Sequence, residues 1–426
     1  MNLYYLLLIL FCILNSLKGK NSYDYLLEWG LNNSLFISNK LEMRYISENN
    51  KTYYANEDIP QGTIIMNIPF GIMLNIKNAL KLLNNKKLNN LYDEYKKDIF
   101  EISVGFLPES LDQSFLTYLI YLVNHRQKHY KKNKFFQYFQ YLFDTFETNL
   151  DSFPVFYNKN QLQLLQGSMC LMEIRLMKEL YKEEVDKLQN KHKQKGIDFD
   201  EYLRFRTLTI TKSLNISNHT SIIPFIDMFA NDPIDFNVNF KLNETNDNLY
   251  VFTTKNIKRG DKLYIRSGYF SNNKRFILYG ETFDKMKDYI EAFQIPMISP
   301  MMHHRIPDKG GYELDDTIDL TAKNFYKDAL STYKKISVLK RGDGSDISAY
   351  KLFLQNLELV RGTYDYITSS NVHQEFVNLK DINNVIRVYE FEKKFLDEKI
   401  NVLRKYIDKL EKKSNNKSDE KINKDL

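Results

Sequence analysis

The chain has 426 residues, 43% of them apolar, and a net charge of +6. That length accommodates two or three domains with real cores. The charge is modest and mixed in sign along the chain, which excludes the concentrated basic surface that nucleic-acid binding requires. With only two cysteines, Cys12 and Cys170, a disulfide-built scaffold is excluded too.

Leu3 to Leu17 is an apolar run of signal-peptide length, too short for a usual membrane span. The small residues Ser16 and Gly19 lie at its end, so 1–19 reads as a cleaved leader. The expected destination is the secretory pathway or secretion, with a retained signal anchor as the alternative. No later segment reads as a membrane span. Removing the leader takes Cys12 with it and leaves a single thiol.

Tyr23 to Gly30 is expected to form a short helix, and Lys40 to Asn75 a set of strands turning at Asn49-Asn50. Ile64-Ile65-Met66-Asn67-Ile68 reads as a buried strand closed by Pro69. From Ala79 to about Phe205 the apolar spacing is mostly helical, with Phe115, Leu116, Leu119, Ile120, Leu122 and Val123 on a buried face. Glu173 to Lys193 reads as a charged amphipathic helix. Strand-like segments resume near Ile216 and end near Phe293, followed by a connector from Pro296 to Gly311. Leu320 to Lys340, Ser348 to Ser369 and Asp381 to Lys413 are expected helices, the last with Leu396, Ile400, Leu403 and Ile407 on one face. Residues 414–426 form a polar, basic tail expected to be disordered.

Other polar pairs carry little. His303-His304 lacks the spacing and the neighbours of a metal site, so no metal is expected. Asn124-His125 reads as a solvated pair on a helix surface. Arg341-Gly342-Asp343 reads as a polar turn between helices.

The densest motif content lies between Ser221 and Phe283. It contains Pro224, Asp227, Ile257, Gly260, Gly268, Ser271, Asn272, Tyr279 and Gly280 at characteristic spacing. Upstream, Asp58-Ile59-Pro60-Gln61-Gly62 and Ile68-Pro69 recur in a matching order. This layout resembles SET-domain protein methyltransferases of the Rubisco large-subunit and actin-histidine methyltransferase class. Three positions depart from the pattern of that class. Asn50-Lys51-Thr52-Tyr53-Tyr54-Ala55 stands where a Gly-x-Gly-x-x-Ala loop is usual, Asn231-Asp232 where Asn-His is usual, and Ser267-Gly268 where the first Tyr-Gly is usual.

The resemblance implies an α+β fold: a SET domain of small curled β-sheets with pseudoknot-like threading, a helical insertion, and an all-helical C-terminal domain. Its parts would be 22–95 and 216–293 for SET, 96–215 for the insertion, and 300–413 for a helical domain of the substrate-binding type. It further implies S-adenosyl-L-methionine as cofactor and a protein or peptide as substrate, methylated on lysine or histidine. Thr52, Tyr53, Asn231 and Asp232 fall at cofactor-binding positions. Ser267, Tyr269 and Tyr279 fall at catalytic ones. Ser267 is too short to replace a tyrosine hydroxyl. Tyr269, two residues on and so on the same strand face, is placed to substitute, and Tyr279 to line a lysine channel. Among 30 tyrosines, plain aromatic packing is the alternative for both. Two other readings stay open: a catalytically inactive SET-like protein that binds a peptide or protein partner, and a secreted interaction protein acting through its helical domain.

Overall fold

A computed structural model describes residues 22–47, 50–83, 86–99, 111–125, 138–139, 141–143, 150, 152–163, 165, 168–216, 219–243, 245–266, 271–283, 294–296, 317–319, 327, 329–331, 333–334, 344–367 and 382–422. In chain order its main elements begin with α1 (Ser22–Asn32), β1 (Phe36–Ile37), β2 (Leu41–Ser47), β3 (Asn50–Ala55), β4 (Ile64–Ile68), β5 (Leu74–Asn75), α2 (Ile76–Leu83), α3 (Lys86–Ile99) and α4 (Leu111–His125). They continue with α5 (Met169–Asp186), α6 (Phe199–Lys212), β6 (Ser213–Ile216), β7 (His219–Ile222), β8 (Ala230–Asn231), β9 (Val238–Leu242), β10 (Leu249–Thr253) and β11 (Tyr264–Ile265). The last are α7 (Asn272–Tyr279), β12 (Gln294–Pro296), β13 (Thr317–Asp319), α8 (Asp346–Ile367) and α9 (Ile382–Ile422). The expected leader, His303-His304 and Arg341-Gly342-Asp343 lie outside the described residues.

The chain forms two compact units, one of Met1–Leu150 with Tyr181–Tyr269, the other of Asp151–Leu180 with Phe270–Leu426. In the first, a six-stranded sheet runs β1-β4-β10-β9-β11-β8, beside a three-stranded sheet β5-β7-β6 and the β2–β3 hairpin. Strands from the N-terminal segment therefore pair with strands that follow the helical block. β4 is antiparallel to β10, with Met66 opposite Val251, and β5 is antiparallel to β7. β4 is the buried strand read from its apolar run, with Ile65, Met66 and Ile68 wholly enclosed.

Two motifs noted in the sequence meet face to face. Ile59 and Ile257 exchange backbone hydrogen bonds at 2.8 and 2.9 Å. The Asp58 carboxylate accepts from Lys258 Nζ at 2.8 Å and from the Arg259 N–H at 2.9 Å. Each motif then turns at a glycine with positive φ, Gly62 at 80° and Gly260 at 89°, a conformation that a side chain resists.

Helices α4 and α6 pack against each other, and α4 also meets β7. α6 is capped by Asp198, whose side chain accepts from the Glu201 N–H at 2.8 Å. Arg206, fully buried, donates to Glu184 at 3.2 Å, and Tyr202 donates to the same carboxylate at 2.9 Å. The Asn124-His125 pair is not simply solvated. Asn124 Nδ2 donates to Glu201 at 3.1 Å and His125 Nε2 lies 2.8 Å from its other oxygen, so α6 supplies a partner that linear reading cannot see.

The second unit centres on α8 packed against the long helix α9, which runs on to Ile422. Leu396, Ile400, Leu403 and Ile407 are all buried, as their helical spacing requires. Arg361 reaches Asp397 through Nε at 2.7 Å and Nη2 at 3.3 Å. α7 is capped by Ser271, which accepts from the Lys274 N–H at 3.2 Å, and ends at Gly280 with φ 66°.

Candidate functional site

The first unit contains a crossing of three backbone segments. Residues 230–232 run parallel to 263–265: Ala230 N donates to Leu263 O and Asp232 N to Ile265 O, both at 3.1 Å. On its other edge the Leu263 N–H donates to Tyr53 O at 3.0 Å, and the Ala55 N–H donates to Asp261 O at 2.9 Å. Leu263 thus ties β3 to the segment carrying Asn231. Asn237 locks the crossing, accepting from the Tyr264 N–H at 2.7 Å and donating to Lys262 O at 3.0 Å. The approach to the crossing is strained. Phe225, buried and non-glycine, sits at φ 71° just before the turn Ile226–Met228.

β3 alternates sides, so Lys51 and Tyr53 share one face. The Tyr53 ring is buried 4.9 Å from Phe229, and its hydroxyl lies 3.3 Å from that of Tyr23 and 3.9 Å from the Met228 sulfur. Burial raises the Tyr53 phenol well above its ordinary value, and neighbouring Tyr23 adds to this. It stays neutral at any physiological pH. The Lys51 ammonium lies over the rings of Tyr141 at 4.8 Å and of Tyr23 and Tyr45 at 5.6 Å. Such cation–ring contacts are worth about 0.5–2 kcal/mol each, depending on desolvation.

Asp227 borders the same region. Its Oδ2 pairs with Lys212 Nζ at 2.8 Å, while its Oδ1 is buried without a hydrogen-bond partner. The Thr52 Oγ1 and Tyr138 hydroxyl are also buried and unpartnered. Burial, helped by the Asp227 charge, raises the phenols of Tyr138 and Tyr141. Tyr138 is stacked on Trp29 at 5.7 Å.

The structure places the sequence-predicted residues unequally. Thr52 and Tyr53 lie side by side on β3, and Asn231 lies on β8, joined to β3 through the 261–265 segment. Asp232 serves its own turn, its Oδ1 accepting from the N–H groups of Ile234 at 2.9 Å and Asp235 at 2.8 Å. Tyr279 belongs to the second unit, at the end of α7. Its phenol is pushed up to about 12 by burial, against the opposing effect of Arg275, whose guanidinium lies 5.4 Å from the ring. Ser267 and Tyr269 lie outside the described residues. Lys51, Asp227 and Lys212 were not singled out from the sequence as site residues. The period-two pattern of Lys51 and Tyr53 was available as a signal, but the nearness of Asp227 arises only in three dimensions. No group of three or more His, Cys, Asp or Glu suited to a metal ion occurs among the described residues.

The SET domain profile matches residues 53–266. Among solved structures, Rubisco LSMT bound to AdoMet is similar at a TM-score of 0.60 and 15% identity, covering 92% of this chain and 94% of that one. The SET domain of LSMT bound to lysine and AdoHcy is similar at a TM-score of 0.57 and 13% identity, covering 90% and 91%. Likeness at such identities is likeness of fold, and it extends over nearly the whole chain, helical C-terminal region included. No curated protein matches the sequence.

Proposed function

The chain belongs to the SET-domain family, and on that premise we propose that it is an S-adenosylmethionine-dependent protein methyltransferase acting on a lysine, or a histidine, of a protein or peptide. The observation that carries this reading is the crossing at Leu263. It brings Thr52, Tyr53 and Asn231 into one neighbourhood, within a fold whose solved examples hold AdoMet, or AdoHcy with lysine or methyl-lysine. The residues present fit such a ligand. Buried polar atoms ordinarily find partners, and Asp227 Oδ1 and the Tyr138 hydroxyl have none within the protein.

When bound, the cofactor supplies a methyl group on a sulfonium, ready for direct displacement by an amine. The chain's part is positioning and electrostatics. Thr52, Tyr53 and Asn231 would hold the cofactor, and Asp232 would fix the turn that follows Asn231. Tyr269 or Tyr279 would orient the incoming neutral amine through a hydroxyl, since Ser267 is too short. The raised Tyr279 phenol remains a protonated donor at neutral pH.

Calorimetric titration with S-adenosylmethionine, followed by transfer of its labelled methyl to candidate proteins, tests the reading. Saturable binding and transfer are expected. Binding without transfer, or no binding, favours a second reading, an inactive SET-like protein that binds a peptide or protein partner. What favours that reading is Thr52, whose side chain is buried where the resembled class has a glycine.

The proposal includes export. The apolar run within 1–19 supports a chain that works in the secretory pathway or outside the cell, or that is held by the leader as an anchor. No helix among the described residues is long and apolar enough to cross a membrane.

A further inference from the structure

Two asparagine side chains in the second unit fix the turn that follows Tyr279. Asn384, buried near the start of α9, donates from Nδ2 to Gly280 O at 2.8 Å. Its Oδ1 accepts from the Thr282 hydroxyl at 2.6 Å and from the Thr282 N–H at 3.1 Å. Asn272, the first residue of α7, makes the second clamp. Its Nδ2 donates to Phe283 O at 3.0 Å and its Oδ1 accepts from the Phe283 N–H at 2.8 Å. Within the turn, the fully buried Arg275 pairs with Glu281 and lies over the rings of Phe283 at 4.5 Å and Tyr279 at 5.4 Å. Gly280 caps α7, and a carbonyl at that end has no partner inside the helix. Asn384 supplies one from 104 residues further along the chain. Its neighbours Val385 and Val388 are buried and apolar, so the polar side chain at 384 answers the turn and not the packing of α9.

We propose that Asn384 is a positioning residue for methyl transfer: by pinning Gly280 and Thr282 it sets where the Tyr279 hydroxyl stands. This inference rests on the methyltransferase reading with Tyr279 in the catalytic role, and it gives α9 a part in the chemical step. The Asn384 side chain makes no other hydrogen bond among the described residues, so its influence passes through this turn. An apolar side chain at 384 would leave Gly280 O, the Thr282 N–H and the Thr282 hydroxyl buried without partners, and the turn would move to find others. A displacement of about 1 Å at a group that aligns reactants slows a reaction about a hundredfold.

The test is the rate of labelled-methyl transfer from saturating S-adenosylmethionine to a pool of lysine- and histidine-containing peptides. It compares wild type, Asn384→Leu, Tyr279→Phe and the double variant. Asn384→Leu is close in size and has no polar atoms. It should slow transfer by roughly ten- to a hundredfold and leave the calorimetric affinity for S-adenosylmethionine unchanged. In the double variant it should add nothing to the loss caused by Tyr279→Phe, because no hydroxyl remains to be positioned. A merely structural asparagine would slow both backgrounds alike, and that result overturns the inference. Thr282→Val removes one bond to Asn384 and Thr282→Ser keeps it. The first should reproduce part of the loss and the second should hold the wild-type rate, and this pair decides the matter where Asn384→Leu fails to fold. Hydrogen exchange gives a readout apart from turnover: the Thr282 amide should exchange faster in Asn384→Leu than in wild type. If Tyr279→Phe is slow and Asn384→Leu matches wild type, the inference is overturned while the methyltransferase reading stands. If Tyr279→Phe matches an active wild type, the inference falls with the role of Tyr279, and the methyltransferase reading again stands. A wild type that transfers no methyl removes that reading and the inference together.

Discussion

The Tyr364 hydroxyl donates to Glu392 Oε2 across 2.8 Å, inside a region where Glu392 has no solvent exposure at all. The other carboxylate oxygen accepts from Ser168 at 3.1 Å and from Asn273, with the Cys170 thiol at 3.9 Å. Burial raises the Glu392 carboxyl from 4.5 to about 7, and the three donors only partly oppose it. The fold therefore prefers the neutral acid. A folded pKa above the unfolded one gives stability that is complete below pH 4.5 and lost as pH rises through about 7. The loss amounts to about 3 kcal/mol across that window. Denaturant melts of wild type and Glu392→Gln between pH 4 and 8 should show wild type losing this much relative to the variant. A difference independent of pH would refute the assignment.

Gly280 ends α7 at φ 66°, and a Cβ there would overlap the carbonyl of Ser152. The left-handed conformation alone costs a side chain about 1–2 kcal/mol. Backbone cannot retreat as a flexible side chain can, so Gly280→Ala should destabilise by more than about 2 kcal/mol. Thermal unfolding measures it. Gly362→Ala, in a helix with open space around it, is the contrast and should be neutral or slightly stabilising.

Lys212 and Asp227 are 2.8 Å apart, with side chains only 26% and 11% exposed. Removing the lysine charge leaves Asp227 in a largely desolvated place with neither oxygen paired. Breaking a buried pair from one side costs about 3–5 kcal/mol, and the partial exposure of Lys212 lowers this toward about 2. Lys212→Met should lose that much in denaturant melts, and Lys212→Arg much less. Equal stability of all three forms would mean that water already satisfies Asp227.

What was legible in the sequence was what local pattern dictates. β4 stood out because an apolar run ends at Pro69, and α9 because Leu396, Ile400, Leu403 and Ile407 repeat at helical spacing. The paired motifs at Ile59 and Ile257 were visible because their glycines mark turns that only glycine makes easily. Long-range pairing of polar groups was not legible. His125 looked solvated because its partner Glu201 lies on another helix, and Lys51 was read only as part of the segment standing where a glycine loop is usual, because Tyr141 approaches it only after folding. Asp232 was read through its alignment with a histidine, although Asp232-Pro233 and Asp235 already signalled the turn that its carboxylate makes.

Export is checked at the N-terminus. Leu3 to Leu17 has the length of a signal core, and Ser16 and Gly19 are small enough for a cleavage site. N-terminal sequencing of the native protein should find a start near residue 20. An intact Met1 on a membrane-bound species would support the anchor, and an intact Met1 on a cytosolic species would reject both forms of the leader.

The sharpest prediction concerns the hydroxyl that Ser267 cannot supply. Methyl transfer to an amine depends on alignment, and a positioned hydroxyl contributes through hydrogen bonds made best in the transition state. Tyr→Phe keeps the ring and removes only that bond. If Tyr269 carries the role, Tyr269→Phe should slow turnover by roughly ten- to a thousandfold with little change in cofactor affinity, while Tyr279→Phe leaves the rate near wild type. If Tyr279 carries it, the pattern reverses. Single-turnover rates with saturating cofactor separate the chemical step from binding. Ser267→Tyr should raise the rate, because it restores a hydroxyl at the position where the resembled class keeps one. An active wild type indifferent to both Tyr→Phe changes would remove these residues from the site. A wild type and a Ser267→Tyr variant that both bind cofactor and both stay inert would assign the protein to peptide or partner binding instead.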